Sequence, residues 1–106
     1  MTVAEWVLDR APDAPESLTG AVCVALGSDG ELPATRAADV LMAAAERALA
    51  RFVSGGVQAR DGALPLLTID ALVTFALEAA AEHPDEIEDR ARRAMIRLAS
   101  LGGAPA

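Results

Sequence analysis

No lysine, tyrosine or asparagine occurs in this chain of 106 residues, and it has one cysteine, one histidine and one tryptophan. Without lysine, Schiff-base chemistry and lysine-dependent phosphate binding are excluded, and without tyrosine so is phenolic chemistry. The lone Cys23 excludes an internal disulfide. Its simplest role is that of a small buried hydrophobe, since no histidine lies nearby in sequence to activate the thiol. Aromatic residues are only 3% of the chain, so the core must be thin and its helices must approach closely. No charge-free apolar run reaches the ~18 residues of a membrane span. The N-terminus carries Glu5 and Asp9 and lacks the positive region of a signal peptide. The expectation is a cytoplasmic protein with no membrane association.

What is present is alanine, the best intrinsic helix former, within a composition that is 53% hydrophobic and 24% charged. That balance is globular, and the length suits a single domain over 1–106. The formal net charge is −7. Nonspecific nucleic-acid binding needs a positive field, so no nucleic-acid partner is expected.

The stretch 65–82, PLLTIDALVTFALEAAAE, organises the rest. At 100° per residue its apolar side chains cover an arc of roughly 200°, wider than the ~100° stripe of an ordinary surface helix. Earlier in the chain, Thr2-Val3-Ala4-Glu5 reads as a capping box opening a short helix with Val3, Trp6 and Val7 on one face. A second helix is expected over 14–26, started by Asp13 and Pro15 and closed by Gly27. Residues 28–32 form a turn. A third helix over 33–54 shows a plain inner stripe of Ala37, Leu41, Ala44, Ala45, Ala48 and Phe52. Residues 55–64, GGVQARDGAL, read as a flexible linker; the lysine-containing pattern of a phosphate loop is missing.

His83-Pro84 turns the chain into a last helix over 84–101. Its acidic residues come first and its arginines last, the order that the helix dipole favours. Glu86 with Arg90, Glu88 with Arg92 and Asp89 with Arg93 are spaced as i,i+4 pairs. The inner stripe is Ile87, Ala91, Ala94, Leu98 and Leu101 beside Met95, with Ile96 on the opposite side. Residues 102–106 are expected to fray. The fold class is therefore all-α: a small four-helix bundle-like domain with an extra short N-terminal helix and a C-terminal αα-hairpin.

The stretch 68–78 resembles one helix of the trans-prenyltransferases. The paired-aspartate motifs that hold magnesium and diphosphate in that family are missing here, and the chain is far shorter, so nothing further is taken from the likeness. His83 lacks the Glu-x-x-His or His-x-x-x-His spacing of a metal site, and no metal or cofactor is expected. Asp70 borders the apolar arc, where it marks a helix start or the edge of the buried face. Arg90, Arg93 and Arg97 share one flank and are anion-binding candidates, although intrahelical pairing takes up much of that charge. No nucleophile–base pair can be assembled, so an enzyme is not expected.

Two functions follow as expectations. The first is a non-enzymatic interaction module, self-associating as a homodimer or docking on a partner protein as a small accessory subunit. Its interface candidates are Phe75, Leu72, Ile96 and Trp6, because the arc of the 65–82 helix is wider than one neighbour requires. A competing account folds Val3, Trp6 and Val7 over Phe75 and completes a monomer. The second function is binding of a small apolar ligand in an alanine-rich pocket lined by Leu41, Phe52, Leu72, Phe75 and Ala76.

Overall fold

A computed structural model describes residues 1–102, which form six α-helices and no strand. These are α1 (Val3–Arg10), α2 (Glu16–Leu26), α3 (Ala37–Ser54), α4 (Gly56–Ala59), α5 (Leu64–Ala81) and α6 (Pro84–Gly102). The all-α class read from the sequence is the class observed. The expected tail beyond Gly102 lies outside the described residues.

Helix α1 starts as its capping box dictates. The Thr2 backbone N–H donates to Glu5 Oε1 at 2.9 Å, and the Glu5 N–H donates to Thr2 Oγ1 at 3.2 Å. Val3 N–H donates to the Leu32 carbonyl and Ala34 N–H to the Met1 carbonyl, both at 2.9 Å, so the N-terminus is fastened to the segment before α3. Helix α2 begins later than the sequence suggested: Pro15 is the N-cap and Asp13 supplies no cap. Gly27 ends it at φ 59°, a left-handed conformation that glycine adopts without steric cost.

The centre of the molecule is the antiparallel pair α3 and α5, the most extensive helix contact in the fold. Phe52 near the end of α3 lines one groove with Leu64 and Pro65 at the start of α5. Leu41 and Leu72 are fully buried between small neighbours, Ala37, Ala44, Ala45, Ala76 and Ala79. Each leucine contributes about 1.5–3 kcal/mol by burial, and the alanines let the helices come close enough to exclude water. Helix α5 is also long and apolar enough, at 18 residues and a mean hydropathy of 1.6, to cross a membrane by length and composition alone. Its inner side, Thr68, Ile69, Leu72, Ala76 and Ala79, belongs to the core.

Helix α1 covers the edge of this pair. Trp6, 8% exposed, meets Phe75 edge-on with ring centroids 6.2 Å apart and planes at 83°. Its indole N–H donates to Glu82 Oε1 at 3.2 Å, and the Arg10 guanidinium lies 5.3 Å over its ring. The lid over Phe75 therefore comes from within the chain. The connection read as a linker holds the helical turn α4, secured by Arg60, which donates to the Phe52 and Val53 carbonyls at 2.9 and 2.8 Å.

Helix α6 follows α5 after a two-residue corner, Glu82 and His83, and packs on it lightly, far less than α3 does. The radius of gyration, 14.9 Å, exceeds the ~13 Å of a compact chain of this length. A helix folded straight back would lay the acidic start of α6 beside Glu78 and Glu82, both of which Arg10 of α1 already pairs at 3.2 Å. Arg90 instead reaches α3, where Nη1 donates to Asp39 Oδ1 at 2.6 Å, and it holds Glu86 at 3.2 Å.

Candidate interaction site

Most of the residues expected to line an inner seam of α6 stand in solvent, the side chain of Leu101 lying outside the described ones. Ile87 is 46%, Met95 69% and Leu98 66% exposed, and Ala91 is exposed as well. Ala94 is partly covered. This correction has a physical origin. Helical spacing reports that a stripe is apolar, but not whether the chain itself supplies the neighbour that would cover it. A helix of this length with so few tertiary contacts relies on local pairs. Glu86–Arg90 and Glu88–Arg92 form as spaced, whereas Asp89 pairs with Arg92 at 3.5 Å rather than with Arg93.

Helix α5 also has an outward ridge. Leu67, Asp70, Thr74, Leu77 and Ala81 are all exposed and recur at alternating steps of three and four residues. Leu77 is 61% exposed. The ridge and the α6 stripe thus have matching periods, about 3.5 residues, suited to helix–helix packing.

Of the four interface candidates, Leu72 and Trp6 are buried inside the chain and Phe75 packs on Trp6; Ile96 alone is exposed. The pocket candidates divide in the same way. Leu41, Leu72 and Ala76 belong to the packed core, and Phe75 sits at its edge. Only Phe52 lines a groove, an open one of about 390 Å³ between α2, α3 and the start of α5, with Val24, Ala48, Leu64 and Pro65 on its walls and Arg51 beside them. Sequence reasoning named Phe52 as a pocket residue but missed Val24 and Leu64, whose outward position depends on how α2 and α5 meet.

Arg90 is taken up by Asp39 and Glu86, and among the described residues Arg93 and Arg97 have no ion-pair partner. His83 is exposed at the α5–α6 corner, Asp70 is exposed on the α5 ridge, and Cys23 is half-buried rather than a core residue. Among the described residues no group of three His, Cys, Asp or Glu side chains has metal-binding geometry. The acidity of Glu5 is displaced. The Thr2 backbone N–H, then the Thr2 hydroxyl, hold its carboxyl below the ordinary value. That shift belongs to the helix cap and has no part in a site.

Comparison with known proteins gives no match to a family model, to a curated protein or to a solved structure.

Proposed function

We propose that this protein is a non-enzymatic interaction module that self-associates, and that it acts through helix–helix contacts as a small accessory subunit. The observation that carries this reading is the exposed apolar stripe of α6, from Ile87 to Leu98. Contiguous apolar surface on a small acidic chain is costly to leave wet, and such surface marks protein–protein contact. A twofold dimer uses one self-complementary surface twice and is the commonest solution for a small protein. Light scattering across a micromolar concentration series tests this. The expected mass rises from near 10.9 kDa toward twice that value. A mass that stays at the monomer value at every concentration overturns it.

A second reading, binding of a small apolar ligand, is favoured by the groove at Val24, Phe52 and Leu64. Thermal stabilisation by hydrophobic ligands that is lost in Phe52→Ala supports it; no stabilisation by any of them counts against it.

A further inference from the structure

The groove beside Phe52 is apolar except at two side chains. Val24, 82% exposed, Phe52, Leu64 and Pro65 form its walls, and the other apolar positions are alanines, whose short side chains leave the space open. The polar side chains are Thr68 and Arg51. Thr68 donates its hydroxyl proton to the Leu64 carbonyl at 2.7 Å. Arg51 has no ion-pair partner among the described residues, in a chain where acidic residues outnumber basic ones 16 to 9. No carboxylate is among the described residues that line the groove. We propose that it binds a single alkyl chain ending in one carboxylate, with the chain along Val24, Phe52 and Leu64 and the head on the Arg51 guanidinium. This rests on the reading of the groove as a ligand site and adds the ligand's charge.

Three observations select such a ligand. With the Thr68 proton committed, the walls offer no other side-chain donor, so the body of the ligand is hydrocarbon. The guanidinium can meet a carboxylate through two parallel N–H donors, and apolar surroundings strengthen that pairing because water competes less. Helix α5 also starts at this groove, and its first turn has neither a side-chain cap nor an acidic residue. Its unpaired N–H groups leave the positive end of the helix dipole uncompensated there. The end of α3 comes to the same place, but its carbonyls are already taken. The Arg51 carbonyl accepts from the Gly55 N–H at 2.8 Å, and the Phe52 and Val53 carbonyls accept from Arg60. A second guanidinium thus offsets the pole that would repel a carboxylate. The volume, about 390 Å³, falls at the small end of the ~300–1,000 Å³ of ligand pockets.

Isothermal titration calorimetry of the full chain with decanoate, 1-decanol and decyltrimethylammonium, probes of matched chain length, tests the proposal. Decanoate is expected to bind once per chain and about fivefold tighter than decanol, the upper range for an exposed ion pair. The cation is expected to bind more weakly than either. Arg51→Gln brings decanoate to the level of decanol and leaves decanol unchanged, whereas Arg51→Lys keeps part of the preference. Val24→Glu, at an exposed position where folding is not at risk, sets a carboxylate in the groove and weakens decanoate about tenfold. If none of the probes binds, the ligand reading itself fails. If decanol or the cation binds as tightly as decanoate, or if Arg51→Gln keeps the preference, the ligand reading stands and the anionic head is overturned. Decanoate binding unaltered by Val24→Glu places the chain outside the groove and overturns the proposal as well.

Discussion

Arg90 Nη1 lies 2.6 Å from Asp39 Oδ1, and this ion pair ties the first half of α6 to the first turn of α3. Arg90 is 22% exposed in its side chain and its Nε is buried without a hydrogen-bond partner, whereas Asp39 is largely in water. The pair therefore positions α6 more than it stabilises the chain. Asp39→Ala should cost less than about 1 kcal/mol in chemical denaturation. Amide exchange at residues 84–90 should nevertheless accelerate, because that half of α6 loses its tether. Unchanged exchange there would show that the α5 corner alone holds the helix.

Phe75 and Trp6 cover one edge of α5 together. Phe75→Ala should destabilise the monomer by about 3 kcal/mol, the scale of an aromatic truncation in a core, and should leave Trp6 exposed. Phe75→Leu should cost clearly less. Urea titration of the two variants measures the difference; equal losses would mean that the ring contact adds nothing beyond volume.

Close approach of α3 and α5 depends on the alanines around Leu41 and Leu72. Leu72→Ala should cost about 2–5 kcal/mol by leaving a cavity. Ala76→Leu should cost about 1–3 kcal/mol in the opposite way, by overfilling the seam. A thermal melt in which Ala76→Leu is neutral or stabilising would reveal unfilled space beside that residue.

Glu5 links the N-terminal cap to pH. Folding lowers its pKa below the ordinary 4.5, with the Thr2 backbone N–H as the leading cause and the Thr2 hydroxyl next. The folded state therefore favours the carboxylate. The cap's contribution is complete above the unfolded value and is lost as pH falls through the lower folded value. The carboxyl carbon shift of Glu5, followed by NMR, should titrate below 4.5 and move upward in Thr2→Ala. A midpoint at or above the ordinary value would contradict the cap geometry.

Most helix positions, the Thr2 cap and the Gly27 stop were legible because they are local. The Thr2–Glu5 box, Gly27, the α3 stripe and the acid-to-base order of α6 each depend on residues within a turn or two. The interface candidates fared differently because covering is a tertiary property. The wheel of 65–82 showed more apolar surface than one neighbour needs, but not that Trp6, far away in sequence, closes the Phe75 edge. Nor did the α6 stripe disclose that Asp39 would draw Arg90 toward α3 and leave Met95 and Leu98 in water. Periodicity identifies which face is apolar, and not which neighbour covers it.

Trp6 donates its indole N–H to Glu82, the residue that leads into the corner before α6. The chain has no tyrosine, so excitation near 280 nm yields fluorescence almost wholly from this one ring. Removal of the Glu82 carboxylate, or any rotation of the corner that shifts it, changes the field across the indole. The protein thus carries an intrinsic optical gauge of its α5–α6 corner, readable in dilute solution without a label.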